Sequence, residues 1–133
     1  MEELAYNVKI AVLRILEDII NADKVIHEKE VNYMNDIAHS FNLNDNYKSE
    51  VNNLVTLQAL SIIRALSPEV KEKIAQLMGK MIVIDEDINY NEVKLYNAIC
   101  ESCNIRKDFN VEDYPNYILG GAFIEPEDQT LSL

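Results

Sequence analysis

The chain contains no tryptophan and only three glycines, three prolines, two cysteines and two histidines in 133 residues. So little glycine and proline leaves few sites for tight turns, which argues against a many-stranded sheet and excludes collagen-like and low-complexity classes. Two cysteines make no disulfide framework of the kind that staples small secreted domains. Basic residues are also scarce, 12 Lys and Arg against 23 Asp and Glu, for a formal net charge of −11. Such a surface repels nucleic-acid phosphates and anionic membranes, and it attracts cations or basic partners. No uncharged apolar run reaches membrane-spanning length, and Met1-Glu2-Glu3-Leu4 lacks the basic and apolar regions of a secretion signal. A cytoplasmic protein without membrane insertion is expected.

What the chain does have is apolar residues at helical spacing, 48% of the composition being hydrophobic. Leu4, Val8, Ala11, Val12, Ile15, Leu16, Ile19 and Ile20 recur every three or four positions, the period of a helix with one buried face. Val31, Met34, Ile37, Ala38 and Phe41 repeat the spacing, and Val51, Leu54 and Val55 outline a weaker third segment. Thr56 is placed to cap a fourth helix carrying Leu57, Leu60, Ile63 and Leu66. Ser67-Pro68-Glu69 marks the start of a fifth, running to about Ile84, because Ser caps and Pro suits the first turn. Val93, Tyr96, Ile99, Cys100 and Cys103 lie on a sixth. No stretch alternates with period two, so the expected fold is all-α.

Residues 8–43 align without a gap on residues 70–105, at an offset of 62. Val8 falls on Val70, Val12 on Ile74, Ile19 on Met81, Asp23 on Asp85, Ile26 on Ile88, Glu30 on Glu92 and Asn42 on Asn104. The pattern predicts a helical bundle built from two repeated hairpins packed on each other, with residues 44–66 between them. A strand inside either span would sink the duplication argument. Residues 1–105 then form the domain, and 106–133 an extension. Phe109, Tyr114, Tyr117, Ile118, Leu119, Phe123 and Ile124 make that extension too apolar for a free tail, so part of it should dock on the bundle or on a neighbouring chain.

The repeated element is Asp, two residues, Ile, three residues, Glu, Val, at Asp23 to Val31 and at Asp85 to Val93. With His27 and Asn89 as N-caps, Glu30 and Glu92 stand where a carboxylate accepts the cap residue's own N–H, and Ile26–Val31 and Ile88–Val93 have the spacing of a hydrophobic staple. Asn89 is a good cap and His27 a poor one, so the second turn should be the better formed. The start of a helix does not account for Asp23, Asp85 or the neighbouring Asp87.

At this element the sequence resembles the TerB family, small helical domains named for tellurite-resistance operons and also found in a membrane-anchored J-domain co-chaperone. The resemblance spans roughly residues 8–105 and rests on Ala22-Asp23, Ile26, Glu30, Asp85, Ile88 and Glu92, with Leu66-Ser67-Pro68-Glu69 in the connecting stretch. The family's glycine is replaced by Lys24 and Glu86, which argues against a left-handed turn and sets a cation near the first acidic site. The resemblance implies an all-helical fold with an acidic surface that binds divalent cations in stress-related assemblies, and it implies no catalysis.

Asp85, Asp87 and Asn89 occupy the first, third and fifth positions of a conceivable EF-hand loop, but Tyr90 and Tyr96 stand where the loop needs Gly and Glu. A weaker oxygen site from Asp85, Asp87, Asn89 and Glu92, shared with Asp23 and Glu30, suits Ca²⁺ or Mg²⁺. Helix capping alone is the competing reading of the same residues. A metal-dependent hydrolase using the acids of both repeats is the alternative function, and an open coordination position inside a pocket would favour it. Cys100 and Cys103 align with the core positions Ala38 and Phe41, so packing rather than zinc or redox chemistry is expected of them. The expected protein is non-enzymatic, binding a divalent cation or a protein partner, with homo-oligomer formation left open.

Overall fold

The computed structural model describes residues 3–23 and 25–120. Six helices follow one another: α1 (Tyr6–Ala22), α2 (Glu28–Ser40), α3 (Tyr47–Asn53), α4 (Thr56–Arg64), α5 (Pro68–Val83) and α6 (Tyr90–Cys103). Helix α1 carries Val8, Ile10, Ala11, Val12, Leu13, Ile15, Leu16, Ile19 and Ile20 around most of its circumference, and all are buried. A helix apolar on nearly every side belongs at the centre of a bundle, and every other helix packs against this one. Each such aliphatic side chain contributes about 1.5–3 kcal/mol on burial.

Lys9 is buried among these residues, its Nζ donating to the carbonyl of Phe41 at 2.7 Å and pairing with Glu3 at 3.0 Å. The cation thus meets a free carbonyl at the end of α2. Helices α2 and α6 end alike. Asn42 and Asn104 both take the left-handed conformation, and Leu43 and Ile105 donate back to the carbonyls of Ala38 and Cys100. This is the Schellman arrangement, with Asn where Gly is usual.

Ser67 caps α5 by accepting the Val70 N–H at 3.3 Å, as its sequence predicts. Thr56 does not cap α4. Val55 is the extended residue before that helix, and the Thr56 hydroxyl donates instead to Asp18 Oδ2 at 2.8 Å, tying α4 to α1.

The all-α expectation holds for the bundle but misses one small sheet. Strand β1 (Asp87–Asn89) lies in the turn between α5 and α6 and pairs in parallel with β2 (Ile118–Gly120), in the register Asp87 to Ile118, Ile88 to Leu119 and Asn89 to Gly120. A strand therefore does occur inside the span 70–105, and the described part of the first turn has none, so the expectation of equivalent hairpins fails at the turns and the likeness is confined to the flanking helices and their Asp and Glu positions. Three residues are too few to show a period, and this strand exists because the extension returns to pair with it after α6 has made the crossover.

Residues 106–120 dock on their own bundle. The Tyr96 hydroxyl, fully buried, accepts the N–H groups of Asp108 and Phe109 at 2.8 and 3.1 Å. Phe109 packs edge-on against Tyr96 and stacks on Tyr114, which in turn meets Tyr117. The expectation that Phe123 and Ile124 also dock falls outside the described residues, as does Lys24. No helix among the described residues is long and apolar enough to cross a membrane.

Candidate functional site

Helix α1 closes on Asp23, and α2 opens after His27, whose extended backbone starts the helix without a side-chain cap bond. Four residues of separation across this short turn bring His27 Nε2 to 3.1 Å from Asp23 Oδ2. In the other turn Asp85 Oδ1 accepts the Asp87 N–H at 3.2 Å, and Glu86 adopts φ 64°. That is the left-handed conformation the missing glycine argued against, held here by the bond from the Glu86 N–H to the Val83 carbonyl and by strand pairing on its C-terminal side. Asn89 is the cap its sequence predicts, its Oδ1 accepting the Asn91 N–H at 2.8 Å.

The turns meet reciprocally. Asn89 Nδ2 donates to Asp23 Oδ1 at 2.6 Å, and His27 Nδ1 lies 3.5 Å from Asp85 Oδ2. Each residue preceding a helix thus reaches the aspartate of the other repeat. Beneath them Glu30 and Glu92, from the first turns of α2 and α6, come within hydrogen-bonding reach of each other, both only 1% exposed. Glu30 draws on the backbone N–H of His27, as a capping box requires, yet its Oε1 has no hydrogen-bond partner. Glu92 Oε2 has none either.

Two buried carboxyls side by side cannot both ionise cheaply. Burial pushes Glu92 well above the usual carboxylate range, and the hydrogen bond and charge of Glu30, then Asp23 and Asp85, push it further. Burial and the charge of Asp85 raise Glu30 as well. For His27, burial works against protonation, but the bond to Asp23 and the charges of Asp85, Glu30 and Asp23 outweigh it and the pKa is raised. The site collects more negative charge than its one imidazole answers, and the glutamate pair keeps a proton.

Of the six residues expected to hold a metal, Asp23, Glu30, Asp85, Asn89 and Glu92 converge here. Asp87 turns its Oδ1 toward Gly120 instead, 3.6 Å from where a Cβ on that glycine would stand. Asp87 joins the group through its backbone, whose N–H donates to Asp85 Oδ1 at 3.2 Å, while its carboxylate lies beside Gly120. Among the described residues no three His, Cys, Asp or Glu side chains already stand in a metal-coordinating arrangement. Four carboxylates gather here, with Asn89 turning its Nδ2 toward Asp23, and Glu30 Oε1 and Glu92 Oε2 accept from no donor among the described residues. Sequence reasoning placed His27 as a weak cap and missed its bridge between the two aspartates. The available signal was its alignment with Asn89, since equivalent residues make equivalent reaches.

Cys100 and Cys103 are free and buried, as core positions should be, and Cys103 Sγ donates to the Leu60 carbonyl at 3.5 Å. Burial pushes the Cys100 thiol up to about 11, away from nucleophilic or ligating chemistry at neutral pH.

No protein-family model and no curated protein matches the chain. Among solved structures it is similar to a protein of unknown function from Porphyromonas gingivalis, with a TM-score of 0.70 and 19% identity, over 87% of this chain and 93% of that one. That likeness shows the fold, a helical bundle.

Proposed function

We propose that this chain is a non-enzymatic, TerB-like domain that binds a divalent cation, Ca²⁺ or Mg²⁺, where its two interhelical turns meet, and that works through its acidic surface on a protein partner, in a stress or tellurite-resistance setting. The observation that carries this reading is the buried pair Glu30 and Glu92, with an unpartnered oxygen on each, roofed by Asp23 and Asp85. Glu30, Glu92, Asp23 and Asp85 would supply charged oxygens to a cation that brings the positive charge this site is short of, while Asn89, whose Oδ1 caps α6, would orient Asp23 through its Nδ2. The role is then to fasten one helical hairpin to the other. The hydrolase alternative asks for a pocket beside the ion. The described cavities of about 270, 410, 320 and 150 Å³ are all lined by residues other than these acids, so the binding reading is preferred.

Isothermal titration with Ca²⁺, Mg²⁺, Mn²⁺ and Zn²⁺ tests it. Saturable heat with a hard ion, weakened in Glu92→Gln and in Asp85→Asn, supports the proposal. Absence of saturable heat, or undiminished affinity in both variants, makes the pair a proton-sharing structural contact instead.

A further inference from the structure

Among the described residues, strand β2 has a neighbour on one side only. Its Ile118 N–H donates to the Glu86 carbonyl at 3.2 Å, and because successive residues of a strand turn their backbone groups to opposite edges, the N–H and C=O of Leu119 face outward. Ile118 is 68% exposed and Leu119 51%, and among the described residues no backbone partner pairs with Leu119 on this edge. Folded proteins usually protect such an edge with lysine, proline or a bulge, and β2 has neither of those residues. The two segments that carry the sheet are acidic, with Lys80, Lys94 and Lys107 just beyond them. Residues 81–93, around β1, and 108–120, around β2, include Asp85, Glu86, Asp87, Glu92, Asp108, Glu112 and Asp113 and not one Lys or Arg. All but Glu92 are at least partly exposed.

We propose that the outer edge of β2 is a docking strand for an extended, basic segment of a protein partner. Such a segment would add a third strand through the Leu119 N–H and C=O, set apolar side chains against Ile118 and Leu119, and place Lys or Arg among the flanking acids. A second copy of this chain would bring the same acids to the same edge and is disfavoured by like charge. The inference is independent of the cation reading, since its surface lies on β2 rather than between the glutamates.

The test is an NMR titration of the full chain, labelled with ¹⁵N, with a capped hexapeptide alternating lysine and valine. A glutamate–valine peptide and a lysine–valine peptide N-methylated on its pairing edge serve as comparisons. Expected are saturable shifts centred on 117–120, weakened by added salt, absent with the glutamate peptide and lost on N-methylation. Leu119→Lys, at an exposed position, should weaken binding at least about tenfold while leaving the thermal melt in place. Lack of saturable shifts overturns the proposal. So do shifts centred on Asp23 and His27, equal binding of the N-methylated peptide, undiminished binding in a folded Leu119→Lys, or peptide-free dimerisation in which residues 118 and 119 shift.

Discussion

The turns Asp23–His27 and Asp85–Asn89 lead into the same Glu-Val pair and the same kind of helix, yet Ile88 is fully buried and Ile26 is 62% exposed. The second turn has β2 paired against it and the aromatic run of Phe109, Tyr114 and Tyr117 packed nearby on the bundle, whereas Val25 and Ile26 face solvent. A staple spacing thus closes into a staple only where something covers it. The spacing in the first copy describes a capacity that the fold leaves unused.

The largest effect that separates the turns should come from truncating these isoleucines. Ile88→Ala should cost about 2–5 kcal/mol in urea unfolding, the range for a large aliphatic cut from a closed core. Ile26→Ala should stay within about 0.5 kcal/mol, as exposed substitutions do. Equal losses would mean that the first turn is as tightly packed as the second.

The glutamates come next. Glu92 has its pKa raised on folding, so its favourable contribution is complete below the unfolded carboxyl value of about 4.3 and is lost as pH rises toward the folded value. That value is about 10, which sets the upper end of the window. Without divalent cation the wild type should therefore lose stability through neutral and alkaline pH, and Glu92→Gln, which stays neutral, should be more stable by about 1–3 kcal/mol near pH 8. Glu30→Gln should gain less, because Glu30 already draws on the His27 N–H. A wild type whose stability is flat from acid to alkaline pH would contradict this account of the pair.

Smaller differences belong to the residues before each helix. Asn89→Ala loses a cap and a bond to Asp23 and should cost about 1 kcal/mol or slightly more, whereas His27→Ala loses its bond to Asp23 but no cap and should cost less than Asn89→Ala. Thermal melts at low pH and at neutral pH would show whether His27 matters more once charged. Glu86→Gly should stabilise the second turn by up to about 1 kcal/mol, because glycine accepts the left-handed backbone without strain.

Much of the fold was legible because helices announce themselves locally. The period of α1 and the Ser67-Pro68 start each depend on residues within a few positions, as do the Asn ends of α2 and α6, which the sequence reading aligned without recognising as helix ends. What was not legible depends on distant chain. Val55, rather than Thr56, precedes α4 because the Thr56 hydroxyl is taken by Asp18, 38 residues away. The β1–β2 pair needs α6 as its crossover, and within that pair the Asp87 carboxylate lies beside Gly120. The convergence of Asp23, Glu30, Asp85, Asn89 and Glu92 was partly readable, since a repeated motif on two packed hairpins places like residues together. The burial of both glutamates was not, because the same spacing also serves an exposed capping box.

On the proposed function the Glu30–Glu92 pair exchanges its proton for a divalent cation, and that proton can be counted. Calorimetric titration of the wild type near neutral pH, repeated in buffers of different ionisation heat, should show about one proton released per cation bound, as ligands must be deprotonated to coordinate. Glu92→Gln should bind more weakly and release less. Saturable binding with no proton released, or with the same release in Glu92→Gln, would place the cation elsewhere and contradict the account.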